Sequence, residues 1–401
     1  MRRLVVLLAV VAVGSAAPHA LQSGAAAPPA SRETGRETPI APELLKSAID
    51  RLGTVDYAVR TAASRAIRRA PPATVVPALI DAAARHADGY VRFKALVLLS
   101  GFNDPRTHDV MRQAITEKND RLRAVGYGWF EHNRDPQLVP RMLDALARED
   151  SEFVRPALTR ALAAYASDSR VREALHGLVM KGQDFFRSAV IEAVGDYKGA
   201  YALPSLIAVA KLDGPLQDDA VLAIGKIGDK RSLETLAALQ RTAPRNVQPS
   251  IAAAICLLGV NCSSHQGYLE QSLKFSTEND GFRDLLRASA SGLAALAVAG
   301  HRDAASLLVE QGIPSRDPGR AAMALALGAV ALRNTPVLLE TLQARSDPKP
   351  AILLLGESFD MLEEDLEEER FYAAVRRGYW AAPVNAPART IAEALIQTLD
   401  F

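Results

Sequence analysis

"AVLAIGKIGDKRSLETLAAL", Ala220–Leu239, places two glycines, an aspartate and three basic residues between two apolar stretches. Its centre, Gly225–Ser232, has two readings: a loop that cradles a phosphate, or a corner between two helices. A phosphate loop of the Walker type needs G-x-x-x-x-G-K-[ST] after a strand, with backbone N–H groups aimed at the anion. Here the glycine spacing differs, a helical pattern precedes, and Asp229 sets a negative charge where the phosphate would sit. The corner reading is preferred, and it leaves Lys226 facing solvent.

The rest of the chain repeats that corner. An apolar residue followed by Arg and then by small or apolar residues recurs in "VRTAASRAI" from Val59, "VRFKALVLL" from Val91, "LRAVGYGWF" from Leu122, "VRPALTRAL" from Val154 and "FRSAVIEAV" from Phe186. The arginines Arg60, Arg92, Arg123, Arg155 and Arg187 are 31 or 32 residues apart. Gln217 and Gln248 take the same slot in the next two units. Each unit then reaches an Asp-containing corner, such as Asn103-Asp104-Pro105, Arg134-Asp135-Pro136 or Gly228-Asp229-Lys230, and a second apolar stretch such as "LVPRML" or "SLETLA". Apolar positions at spacings of three and four make each unit two helices. Aspartate at the corner accepts from free N–H groups of the second helix and suits the positive end of its dipole.

"DDAVLAIGKIGDKRSLETLAAL" resembles a HEAT-like repeat of the kind found in phycobilisome lyases, in which A-x-x-A-L-G-x-I-G-D-x-R-A recurs, here in an exported bacterial-type chain. Units in register run from Asp56 to Leu273, and a looser continuation covers Ser289–Leu342. "GLAALAVAGHRDAASLLVEQGI" also resembles an ankyrin unit, but lacks the Thr-Pro-Leu-His start and is read as a degenerate helical pair. The resemblance implies an all-α, right-handed α-α superhelix: a HEAT-like solenoid of the armadillo type, elongated because each unit touches only its neighbours. In HEAT-type arrays the second helices line the concave surface. Their outward positions here are Asp81, Gln113, Arg141, Asp144, His176 and Arg241, which makes these the candidate protein-binding residues.

Composition bounds the function. The chain has 401 residues and a formal charge of +1, with mixed signs on the outward positions. A near-neutral chain offers no basic stripe for nucleic acid, so the expected partner is a protein, of identity not given by the sequence. The seven histidines are scattered, without an H-E-x-x-H pair; Glu131-His132 stands alone, where HEAT-like hydroxylases use several such pairs for two irons. No catalytic, metal or cofactor site is expected, and lyase chemistry would be an analogy of fold alone. The leading reading is a non-enzymatic scaffold. The alternative is an enzyme or enzyme accessory related to HEAT-like lyases or hydroxylases.

Four segments follow. Residues 1–20 read as a signal peptide, with Arg2 and Arg3 before the apolar run "LVVLLAVVAV" and small residues after it. Residues 21–40, rich in Ala, Pro, Gly and Ser, read as a disordered linker. The repeat array takes 41–345 and a C-terminal helical cap 346–401. Export implies a periplasmic or secreted protein, with no transmembrane segment once the signal is removed. It also opens a disulfide between Cys256 and Cys262, the two cysteines; the alternative is a small buried hydrophobe at Cys256 and an unrelated thiol. In the cap, the acidic run Glu363, Glu364, Asp365, Glu367, Glu368 and Glu369 reads as the polar outer face that ends an array, or as a dock for a basic partner.

Overall fold

A computed structural model describes residues 38–362 and 364–401. The signal peptide, nearly all of the linker and Glu363 lie outside the described residues. Among the described residues there are 22 α-helices and no strand. None of these helices is by itself long and apolar enough to cross a membrane.

The helices alternate between two layers. One layer carries the repeat arginines: α2 (Tyr57–Arg69), α4 (Gly89–Ser100), α6 (Asp120–His132), α8 (Val154–Ala164), α10 (Asp184–Asp196), α12 (Gln217–Ile227), α14 (Gln248–Leu257), α16 (Arg283–Val298), α18 (Gly319–Arg333) and α20 (Lys349–Leu362). The other holds α1 (Pro42–Arg51), α3 (Pro72–Arg85), α5 (Thr107–Ala114), α7 (Val139–Leu146), α9 (Ser169–Val179), α11 (Leu203–Ala210), α13 (Leu233–Thr242), α15 (Cys262–Glu278), α17 (Arg302–Gly312) and α19 (Thr335–Gln343). Two helices follow, α21 (Asp365–Ala381) and α22 (Pro387–Leu399).

The repeated residues do definite work. Asp104, Asp135 and Asp229 each accept from the backbone N–H two residues on; Asp135 and Asp229 thereby cap the short 3-10 turns that lead into α7 and α13, and Asp104 holds the turn before α5. The arginine is the less obvious part. Arg60 donates to the carbonyls of Thr54 and Val55, Arg92 to that of Ala83, Arg155 to that of Glu149 and Arg187 to that of Val179. These are carbonyls at or just beyond the end of the preceding helix, where no N–H of the next turn is available. The glutamines in the arginine slot do the same: Gln217 donates to Ala210, and Gln248 to Gln240 and Ala243. Arg320 extends the device to Gly312 and Ile313, so the looser C-terminal units are true repeats with diverged lettering.

The opening stretch is a corner. Gly228 ends α12 at φ +80°, a left-handed turn that favours glycine. Gly225 serves packing: a Cβ there would lie 2.5 Å from the Cα of Ala254, so α12 and α14 touch backbone to backbone. A Cβ on Gly195 would likewise lie 2.8 Å from the Cα of Ala223. Between these close crossings the interior positions fill with Leu99, Phe130, Leu162 and Ile224, all fully buried.

Close packing in one layer bends the array toward that layer. Successive arginine-bearing helices pack directly on one another, while successive helices of the other layer barely meet. The arginine-bearing helices therefore line the concave side, the reverse of the sequence expectation. The expectation that each unit touches only its neighbours fails at the end of the chain. α20 keeps the register of the inner layer, but α21 turns inward and lies against α4, α6 and α18. Behind it, the end of the chain reaches α2, where Arg69 donates to the Phe401 carbonyl and Arg65 pairs with Asp400. The array closes on its own beginning.

A candidate protein-binding cleft closed by the chain's own C-terminus

The inner helices of the two halves face each other across a cleft of about 1070 Å³. α2, α4, α6, α8 and α10 form one wall; α18, α20, α21 and the last residues form the other. Asp81, Gln113, Arg141, Asp144, His176 and Arg241 are exposed, but they sit on outer helices and none lines this cleft. The concave-face assignment of those six residues is corrected: the tighter layer is the inner one, and they belong to the looser one. Cys256, at the end of α14, and Cys262, at the start of α15, are joined as a disulfide with Cα atoms 4.2 Å apart.

The floor of the cleft is a brace of paired charges across four inner helices. Arg160 lies 2.9 Å from Asp196, 3.1 Å from Glu131 and 3.9 Å from Glu192. Lys226 is 2.7 Å from Asp196 and thus faces the inner side, not solvent. The Tyr197 hydroxyl donates to Glu131 at 2.8 Å. Burial disfavours the Arg160 charge, yet Glu131, Asp196 and Glu192 together hold its pKa above the usual range. Asp196 is held below the usual carboxylate range, because Lys226 and Arg160 outweigh its burial. Burial, with Glu131 beside it, raises the Tyr197 phenol.

Above the brace lies the acidic run, and its partner is the chain itself. Glu369 pairs with Arg68 of α2 at 2.7 Å, Asp365 with Lys94 of α4, and Glu367 with His132 of α6 at 2.9 Å. Glu364 pairs with Arg333 of α18 at 2.9 Å. Burial pushes the Glu367 carboxyl up, but the hydrogen bond with His132 and the charge of Arg370 hold it down at about 2. Glu368 is different: burial and the neighbouring Asp365 push it up to about 8 against the pull of Lys94.

Two groups resemble metal sites by proximity. The ligand atoms of Glu131, His132 and Glu367 lie within 4.8 Å of one another. Arg160 and Tyr197 already occupy Glu131, and the Arg370 guanidinium lies 2.6 Å from His132 Nε2 and pairs with Glu367. A guanidinium stands where a cation would. The second group is the disulfide with His301, whose Nδ1 is 3.8 Å from Cys262 Sγ; a disulfide offers no thiolate to bind metal.

At one rim of the inner face the repeat produces a ladder of aromatic rings and guanidinium groups. Two residues before the repeat arginines stand Tyr90, Arg121, Phe153 and Phe185. Arg121 lies over the rings of Phe153 and Phe93 at 4.7 and 5.7 Å, and Phe93 meets Tyr90 at 5.7 Å. Arg155 lies over Phe186 at 4.6 Å, and Phe186 meets Phe185 at 5.4 Å. Phe153 and Phe185 remain 51% and 56% exposed, and Tyr57 at the start of α2 63%. Tyr90, Arg121, Phe153 and Phe185 were readable from the register, since they fall at one offset from the arginine slot; Phe93 and Phe186, at other offsets, were not.

Residues 45–127 match the HEAT repeats family. No curated protein sequence matches the chain. Among solved structures, YibA of Escherichia coli is 18% identical, with 55% of this chain and 83% of that one covered at a TM-score of 0.40. The CpcE–CpcF complex of phycocyanin lyase from Nostoc sp. PCC7120 is also 18% identical, covering 81% and 96% at 0.27. Kap121p bound to Pho4p is 13% identical, covering 90% and 50% at 0.43. No function passes from these structures to this chain.

Proposed function

We propose that this HEAT-like repeat protein is a non-enzymatic scaffold of the cell envelope that binds a partner protein on its inner face. The observation that carries the proposal is the rim ladder. Large aromatic side chains left half exposed, interleaved with arginine on a rigid repeat, are the residue types that anchor protein interfaces. A solenoid holds such a row in fixed spacing, so an extended or helical segment can engage several units at once. The cleft carboxylates support a binding role over catalysis, because guanidinium, ammonium or imidazole groups hold most of them in pairs. The apolar run after Arg2 and Arg3 supports export to the periplasm or beyond.

The test is purification of the tagged chain from its native host after mild cross-linking, beside the variant Phe153→Ala/Phe185→Ala. Both side chains are exposed, so the fold should survive. A complex formed by the wild type and lost in the variant supports the reading. A complex indifferent to both changes, or a mature chain found in the cytoplasm with its start uncleaved, contradicts the corresponding part.

A further inference from the structure

The helix α21 is an odd member of this fold. It leaves the two-layer register, and its first turns concentrate Asp365, Glu367, Glu368 and Glu369. Like charges this close repel in an isolated helix, so α21 owes its seat to what lies opposite. Opposite lies one side chain from each of three successive inner helices: the Arg68 guanidinium, the Lys94 ammonium and the His132 imidazole. The seat is also shaped for the helix. A Cβ on Gly128 would lie 2.8 Å from Leu366 Cδ2, and one on Gly101 would lie 2.6 Å from Glu369 Oε1. Ile67, Leu99 and Phe130 of the inner helices are fully buried, and Leu366 is the buried side chain by which α21 joins their core.

From this seat we infer that the groove across α2, α4 and α6 is a receptor for an acidic amphipathic helix on the partner protein, and that α21 fills it in the free chain. The inference rests on the scaffold reading and names its partner's chemistry. Leu366, Tyr372 beneath the Arg68 guanidinium and a row of largely buried ion pairs make this contact, and an incoming helix of the same pattern would leave no buried charge unpaired. A helix with the same pattern of charge could exchange for α21. It would also gain what α21 does not use: the open side of the cleft, with Tyr90, Arg121 and Phe153 along it.

The test uses the full chain carrying Asp365→Lys and Glu369→Lys, which sets α21 against Lys94 and Arg68 and leaves the groove unaltered. A fluorescent peptide with the sequence of residues 364–381 is titrated and followed by anisotropy. The double variant should bind it about tenfold or more tightly than wild type, whose competent fraction is small. A peptide with its acidic residues changed to lysine should not bind, and Gly128→Val added to the double variant should abolish binding. Equal affinity for both chains, or indifference to peptide charge, overturns the inference. So does a dimer of the double variant with wild type that the peptide fails to disperse, which assigns the groove to a second copy. Should the double variant lose its helical circular dichroism, Lys94→Cys/Asp365→Cys decides. That chain should take the peptide when reduced and refuse it when oxidised, and no difference overturns the inference. Failure here with partner capture still dependent on Phe153 and Phe185 removes only the acidic helix. Peptide binding without any such partner removes the scaffold reading.

Discussion

The corner at Gly225–Ser232 and the seat of α21 are built on opposite logics. At the corner the contacts run to adjacent units: Gly225 to Ala254 of the next, Lys226 to Asp196 of the preceding one. At the seat the contacts of α21 with α2 and α4 span the chain: Arg68 to Glu369, Lys94 to Asp365. The first kind is held by buried apolar surface and close backbones; the second adds a row of ion pairs to a smaller apolar contact around Leu366 and Tyr372. A periodic sequence thus encodes the array, while a single non-periodic helix encodes its closure. The two should fail separately.

The largest expected effect separates them directly. Ile224→Asp buries a carboxylate with no cation at its slot, and should lower stability by on the order of 4 kcal/mol or more. Leu366→Asp should instead leave the main thermal transition close to wild type and speed hydrogen exchange in α21 and in the facing turns of α4 and α6. Equal loss in both variants would mean that closure and array are one cooperative unit.

Glu368 gives the next effect. Its carboxyl is raised to about 8, so between the ordinary carboxyl range and pH ~8 the folded chain keeps a proton that the unfolded chain has lost. Stability from this group is therefore full at low pH and falls as pH rises through that window. Glu368→Gln should stabilise by on the order of a few kcal/mol near pH ~9 and hardly at all near pH ~4. Glu367 has the opposite sign. It is held at about 2, so its contribution is present above the ordinary carboxyl range and lost as pH falls toward that value. Glu367→Gln should cost stability at neutral pH and nothing near pH ~2. Melting curves across pH check both, and a flat Glu368→Gln difference would place that carboxyl in water.

The smallest effect concerns the array's own signature. Since Gln217 and Gln248 fill the arginine slot with the same carbonyl contacts, Arg60→Gln should change stability by less than about 1 kcal/mol. Arg60→Ala should lose about 1–2 kcal/mol, because the Thr54 and Val55 carbonyls then lack that donor. Indistinguishable urea midpoints for the two variants would refute the capping role.

These residues also show how far the sequence could be read. The two-helix unit and its Asp-containing corners were legible, because each leaves a mark at a fixed period. The inner layer was not. Whether Asp81 or Tyr90 faces the concave side depends on which layer packs more tightly, and that is set by small contacts such as Gly195 on Ala223. The acidic run was visible as a dock for something basic, but Arg68, Lys94 and His132 lie roughly 230–300 residues away along the chain, beyond any local pattern. Lys226 looked solvated for the same reason: Asp196 belongs to the preceding unit.

The central claim is that the chain closes on itself through α21. Spin labels at Ala58→Cys on α2 and Gly378→Cys on α21, with Cys256 and Cys262 left bridged, report this closure by pulsed electron resonance in solution. A single narrow population of short distances is predicted, turning broad and long when Asp365→Lys and Glu369→Lys are added. A broad, long distribution in the otherwise wild-type chain would contradict the closed array.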